Sequence, residues 1–354
     1  MEELNIRESL LYLISTNKLY TTYTNSKGIQ KVRSATLSYL NEDDSIVIRS
    51  HITGDSWSHK MREIEDNLSA VLGLELSDKK HSPTHTDYLF YKSKVKRLIL
   101  HSNSKKLNEN IEIDLGCSIL YNPSKVPHIL ISGGTGSGKS MMISFLILEF
   151  VKQQSQVFIC DPKNSDLGSL SHFLSEKKVA HTPNNIARIV RTVVEEMNKR
   201  YELMKSNFIY GSNFIDHNYK PIWLIFDEMG SFQASGIDKT SNATISEVMN
   251  GLKQIILLGR QAGCFILVSA QQMRAETLNT DLRDNLGLRI ALGSNSSEGL
   301  RMTLGNFAKD LKPVDEIGAG YLYMQGSGKE TAQYYETPYF TKDFDFIKEL
   351  QKYI

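Results

Sequence analysis

Cysteine is scarce in this sequence: Cys117, Cys160 and Cys264 lie far apart, with no CxxC pair. That spacing argues against a disulfide framework and against a zinc site, and makes a reducing cytosol the expected setting. A surplus of charge of one sign is also missing, with 41 Lys and Arg against 40 Asp and Glu. No global field draws such a chain to nucleic acid or membrane, so a polyanion must meet a local basic surface, one that oligomerisation can multiply. Apolar runs of the roughly 20 residues that span a bilayer are absent, and nothing at the N-terminus reads as a signal peptide. There is no internal repeat and no low-complexity tract. What is present is a chain of 354 residues with ordinary apolar content, enough for one large α/β domain beside a smaller one.

Residues 1–90 read as the smaller domain, an α+β unit serving oligomerisation or partner recruitment. β-like runs such as "SIVIRSHI" precede "SWSHKMREIEDNLSAVLGLEL", where Trp57, Met61, Ile64 and Leu68 recur at helical spacing behind Ser56 as a candidate N-cap. The polar stretch "SDKKHSPTHTD" reads as the linker, and its basic neighbour "YKSKVKR" as a solvated strand face or a phosphate contact. Residues 91–354 form the larger domain. From about residue 110, short apolar runs alternate with helical segments: "HILIS", "QVFIC", "IWLIFD", "CFILVSA", "LRIAL" and "GYLYM". Runs this continuous fit strands buried on both faces, hence a doubly wound, mostly parallel sheet. Helices are expected at about 185–206 and 243–262, each with one apolar stripe facing the core.

"GGTGSGKS", Gly133 to Ser140, fits G-x-x-x-x-G-K-[ST] and sits after the strand "HILIS" and before the helical run "MMISFLILEF". Its glycines let the backbone curl so that N–H groups point at phosphate oxygens at the positive end of a helix. The nucleotide-contacting stretch is Gly133, Gly134, Thr135, Gly136, Ser137, Gly138, Lys139, Ser140 and Met141. Lys139 would reach the β- and γ-phosphates, and the Ser140 hydroxyl would ligate Mg²⁺. "PIWLIFDEMG" ends a strand in Asp227, placed for the magnesium shell, and Glu228, placed to activate the attacking water. Two further strand ends fall at the edge where open α/β sheets bind ligands. One carries Asp161, Pro162 and Lys163; the other carries Gln271, either a capping amide or a sensor of the γ-phosphate. Arg260, in the last turn of its helix, either pairs with the helix dipole or serves as an arginine finger for the neighbouring subunit, with Arg289 and Arg301 as rivals.

In order along the chain, "VPHILISGGTGSGKS", "DPKNSDL", "RYELM", "LIFDE", "GRQAGCFILVSAQQ" and "LRDNLGLRIALG" resemble the FtsK/SpoIIIE/HerA class of DNA-translocating ATPases. The last stretch looks most like the coupling proteins of Gram-positive conjugative elements. The likeness covers about residues 110–340. It implies a RecA-like P-loop core, ATP and Mg²⁺ as cofactors, a hexameric ring and double-stranded DNA pumped through its channel. On that pattern Lys139 and Ser140 are the Walker A pair, Asp227 and Glu228 Walker B, Gln271 the sensor and Arg260 the trans arginine.

The sequence departs from the family in two places. "SAQQMRA" stands where the chromosome pumps have a "TQRP"-like turn, and neither a membrane anchor nor a C-terminal winged-helix module is recognisable. The expected location is therefore the cytoplasm, with membrane association through a partner or a missing anchor. The polar stretches 230–243 and 272–285 are read as channel loops, with Lys239, Arg274 and Arg283 on DNA phosphates, or else as packing on a neighbouring subunit. The resulting function is an ATP-driven translocase of double-stranded DNA serving transfer or replication of a mobile element, with a relaxase or a replication initiator as a further partner. The alternatives are an FtsK-type ATPase driving protein secretion and a nucleotide switch; Glu228 and a trans arginine argue against the switch.

Overall fold

The computed structural model describes residues 5–93, 97–101, 111–236, 239–273, 278–309 and 311–354. Two compact units divide the chain: Met1–Val95 with Gly328–Gln333, and Lys96–Ser327 with Tyr334–Ile354. The return of 328–333 to the first unit has no counterpart in the sequence reading.

The first unit is α+β. Helix α1 (Ile6–Thr16) and a four-stranded antiparallel sheet enclose its core. The strands are β1 (Leu37–Asn41), β2 (Ser45–His51), β3 (Leu76–His81) and β4 (His85–Tyr91), in the order β1-β2-β4-β3. Two expectations are corrected here. Residues 77–87 are no linker but the body of the β3–β4 hairpin, closed by Ser82 N–H donating to the His85 carbonyl at 2.8 Å. The physical reason is period-two burial: Thr86, Tyr88 and Phe90 all point inward. Nor does Ser56 cap one long helix. The segment breaks into Ser58–Arg62 and α2 (Glu65–Leu72), the first opening at Trp57 without a side-chain cap. Trp57, Met61, Ile64 and Leu68 are nonetheless all buried, so the apolar stripe held while the helix did not.

In the second unit all six apolar runs are strands: β5 (Ile129–Gly133), β6 (Gln156–Cys160), β8 (Ile222–Phe226), β9 (Cys264–Ala270), β10 (Leu288–Leu292) and β11 (Ala319–Met324). A two-residue strand β7 (Val179–Ala180) and an edge strand β12 (Gln333–Glu336) complete an eight-stranded sheet of order β7-β6-β8-β9-β5-β10-β11-β12. The pairs from β7 to β10 are all parallel, and β11 runs antiparallel to β10. The phosphate-loop strand β5 is therefore central, flanked by β9 and β10.

Helix α3 (Lys139–Lys152) covers one face, where Phe150 stacks on Trp223 with ring centroids 3.9 Å apart. The other face carries α4 (Pro183–Ser206) and α6 (Lys239–Ala262). Pro183 opens α4 at a position where its missing N–H costs nothing. The two helices approach closely at Gly251, where a Cβ would lie 2.4 Å from Val190. Gly263, at φ +70°, ends α6 so that β9 starts one residue later. No helix among the described residues is long and apolar enough to cross a membrane.

His128, just ahead of β5, is wholly buried; its Nε2 donates to the Ile256 carbonyl at 3.0 Å and its Nδ1 accepts from Ile266 N–H at 3.1 Å. Since a backbone N–H can only donate, the ring is the neutral Nε2–H tautomer. Burial lowers its pKa from 6.5 to about 4. Between those values the unfolded chain holds a proton that the folded chain refuses, so this contribution is fully present above pH 6.5 and is lost on acidification. From pH 7 to pH 5 the ring should cost about 2 kcal/mol of stability. Urea midpoints at the two pH values measure it, and a His128→Gln variant that kept the full acid loss would contradict the assignment.

Candidate functional site

The loop between β5 and α3 is fixed from below by backbone. A Cβ on Gly133 would stand 2.4 Å from Ser137 Oγ and 2.9 Å from the Leu292 carbonyl. Gly138, at φ +95°, passes so close to Gly318 that a Cβ would stand 2.7 Å from its Cα. The Ser137 carbonyl accepts from Gly318 N–H at 3.0 Å, and the Gly318 carbonyl accepts from Thr337 N–H at 2.7 Å. Arg97 braces Thr337 in turn, donating to its carbonyl and to its hydroxyl. Above this floor Gly134, Thr135 and Gly136 are exposed, as is Ser140, with Lys139 and Met141 half-buried. No side chain caps the N-terminus of the 14-residue helix α3. Its first-turn N–H groups and positive dipole end are thus presented to whatever the loop encloses, the chemistry of a phosphate cradle.

The acidic strand end lies two strands away. Asp227 N–H donates to the Cys160 carbonyl at 2.8 Å, continuing the sheet for one residue past β8. The Asp227 carboxylate accepts from the Ser269 hydroxyl on β9. Burial pushes this carboxyl above its usual range, with Asp161 and Glu228 adding to the shift and Ser269 and Lys139 opposing it. Glu228 sits in the left-handed region at φ +50° and is 8% exposed. Its Oε1 accepts from the Gln271 backbone N–H at 3.3 Å. Its Oε2 lies 3.3 Å from Lys163 Nζ and 3.7 Å from Lys139 Nζ. A carboxylate held on three sides in a largely buried pocket can accept a proton from a water without being free to swing away.

The ends of four strands, β5, β6, β8 and β9, thus bring Lys139, Lys163, Glu228 and Gln271 together. Gln271 takes part through its backbone, while its side chain is exposed. Arg260 is elsewhere. It lies in the last turn of α6, four residues before β9 begins, at the edge where the strands start; the phosphate loop is at the edge where they end. Its Nε donates to the Ser124 carbonyl at 3.1 Å and the residue is exposed. Of its rivals, Arg289 is buried in β10, bonded to the Leu286 carbonyl and to Asp284, whereas Arg301 is exposed on α8 (Ser297–Leu304).

The channel-loop expectation is corrected in two places. Residues 230–243 are largely helical, α5 (Met229–Ala234) followed by the start of α6, with Lys239 exposed in its first turn. Arg283, in α7 (Thr280–Asp284), is 7% exposed and donates to the Met302 carbonyl at 2.6 Å and the Thr280 hydroxyl at 3.0 Å, so its guanidinium is committed inside the fold. Arg274 lies outside the described residues. Sequence reasoning missed Ser269 as the partner of Asp227, and the Gly318, Thr337 and Arg97 floor; only the backbone path brings those residues under the loop.

The FtsK/SpoIIIE family model matches residues 101–303. The FtsK domain-containing protein YdcQ of Bacillus subtilis is 30% identical over 342 residues, covering 96% of this chain and 68% of that protein. A DNA translocase FtsK of Lactiplantibacillus plantarum is 27% identical over 235 residues, covering 60% of this chain and 28% of the translocase, so this chain corresponds to less than a third of that relative. Among solved structures, the pCW3 conjugation coupling protein TcpA, in a monomer form with ATPγS, matches with a TM-score of 0.62 at 20% identity, over 90% of this chain and 93% of that one. That last likeness is one of fold.

Proposed function

This chain belongs to the FtsK/SpoIIIE family, and from that premise we propose that it is a ring motor that hydrolyses ATP to move double-stranded DNA in the transfer or replication of a mobile element. Membership implies ATP binding and hydrolysis; the DNA cargo, the magnesium requirement and the hexamer are the proposal. The observation that carries it is the convergence of Lys139, Lys163 and Glu228 beside a glycine-built helix N-terminus. A protein that only held a nucleotide would need the cradle but no ionised carboxylate aimed into it. The names of two similar proteins, a DNA translocase and a conjugation coupling protein, support DNA as the cargo.

In this reading the loop N–H groups of 134–141 take the phosphate oxygens, and Lys139 leaves Glu228 for the β- and γ-phosphates. Glu228 accepts the proton of the water that attacks the γ-phosphorus, and Gln271 orients that water. Arg260 cannot serve its own site from the opposite sheet edge, so it acts on the site of the next copy. For magnesium, no three His, Cys, Asp or Glu side chains cluster as a self-sufficient site among the described residues. The fit is instead to an ion shared with substrate: Asp227, whose pKa burial has raised, is a group that a cation would relieve, and Ser140 stands exposed at the helix start. Those two residues would hold the ion, which when bound draws charge from the phosphate oxygens. The motor would work in the cytoplasm, free or tethered through a partner. Its N-terminal unit would recruit a relaxase, a replication initiator or the next subunit.

Steady-state ATP hydrolysis with and without long double-stranded DNA tests the reading. DNA should stimulate turnover several-fold, with a stimulation that weakens as salt rises because phosphate contacts release counterions. Turnover indifferent to DNA would reject the DNA motor and favour a protein cargo, as in secretion.

A further inference from the structure

We infer that Lys163 is the positioning residue that keeps the Glu228 carboxylate aimed into the nucleotide site during turnover, an inference that rests on the ATPase reading above. Two ammonium groups share one oxygen of Glu228: Lys163 Nζ at 3.3 Å and Lys139 Nζ at 3.7 Å. They are not equivalent. Lys139 is the first residue of α3, at the end of the phosphate loop, and in the proposed mechanism it turns to the phosphates of ATP. Once it does so, Glu228 keeps the Gln271 N–H on Oε1 and only Lys163 on Oε2. A carboxylate beside the Asp227 carboxylate and an incoming triphosphate is repelled outward. A fixed cation on its far oxygen counters that repulsion.

The local fold is built to deliver that cation. Lys163 follows β6 in a loop whose shape is set by one fully buried carboxylate. Asp161 accepts from the backbone N–H groups of Lys163 at 3.1 Å, Ser165 at 2.7 Å and Gly168 at 2.9 Å, and from the Ser165 hydroxyl at 2.9 Å. Asn164 turns in the left-handed region at φ +50°, and Gly168 packs so tightly that a Cβ would stand 2.5 Å from the Asn164 side-chain oxygen. Asp161 therefore holds the loop, and the loop holds the root of the Lys163 side chain. The side chain is 38% exposed, so burial does not fix it; its root and its ion pair do.

The test uses the purified full chain with MgATP and double-stranded DNA, measuring kcat and KM by phosphate release and nucleotide affinity with a fluorescent ATP analogue. Lys163→Ala should lower kcat by about tenfold to a hundredfold, the cost of letting a catalytic group drift. Affinity should stay at the wild-type value, which also reports that the variant is folded. Lys163→Arg should recover most of kcat, since it restores the charge. In a Glu228→Gln background, Lys163→Ala should change nothing further, because its effect runs through the carboxylate. An unchanged kcat in Lys163→Ala, a loss that adds in full to that of Glu228→Gln, or a weakened nucleotide affinity would overturn the inference, the last by making Lys163 a phosphate ligand. A wild type that hydrolyses no ATP would sink the ATPase reading along with it, whereas a hydrolysing wild type matched by Lys163→Ala overturns the inference alone.

Discussion

Glu228→Gln should cut the turnover number by about 10² to 10⁴-fold, the range over which a positioned general base acts, while nucleotide affinity holds or improves. The substitution keeps the shape of the side chain and the oxygen that accepts from Gln271 N–H. It removes the charge shared with Lys139 and Lys163. Loss of that charge releases Lys139, which then reaches phosphate without first breaking an ion pair, so binding has no reason to weaken. The contrast is Lys139→Ala, which removes the proposed phosphate contact itself and should weaken affinity as well as turnover. Single-turnover hydrolysis beside equilibrium nucleotide titration separates the two. Turnover of Glu228→Gln within about threefold of wild type would remove Glu228 from the proton transfer, because no positioned base acts that weakly.

The backbone of Glu228 fits this role. A non-glycine residue in the left-handed region costs roughly 1 kcal/mol or more and persists only where its surroundings insist on it. Here β8 ends at Phe226, Asp227 is still tied to Cys160, and the chain must turn into α5 within one residue. That sharp turn is what throws the carboxylate toward the phosphate loop instead of along the strand.

How much of this could be read in the chain depends on whether a residue's partner is near it in sequence. The phosphate loop was legible because its glycines, lysine and serine are contiguous and bounded by an apolar strand and an apolar helix. The six core strands were legible because burial on both faces leaves continuous runs of Ile, Leu, Val and Phe. The β3–β4 hairpin was not, since its solvent side is written in Lys, His and Pro and hides the inward Thr86, Tyr88 and Phe90. Arg283 looked like a free cation, yet depth in the fold decided its partner. Asp161 looked like another strand-end acid. That its carboxylate would turn back on its own loop depends on the turn at Asn164, which composition does not announce.

The glycines of the phosphate loop give the second large effect, and they separate steric need from phosphate contact. Gly138→Ala should abolish nucleotide binding and lower stability by about 2–4 kcal/mol, since it meets two of the mechanisms behind large mutational losses at once. Its φ of +95° strains any side chain, and the new Cβ would stand 2.7 Å from Gly318 Cα and 3.1 Å from Gly318 N. Neither side can give way cheaply. Gly318 N–H is bonded to the Ser137 carbonyl and its own carbonyl to Thr337, so moving it breaks the floor under the loop. Gly136→Ala has open space around the new Cβ but keeps a positive φ of +78°, which sets its cost at about 1 kcal/mol. Gly134→Ala meets neither obstacle and should melt with the wild type. Thermal denaturation of the three variants without nucleotide therefore orders them Gly134, Gly136, Gly138 by increasing damage. If Gly138→Ala melted with the wild type and lost only nucleotide binding, close approach to Gly318 would not be why glycine stands there, and contact with the phosphates would be the reason instead.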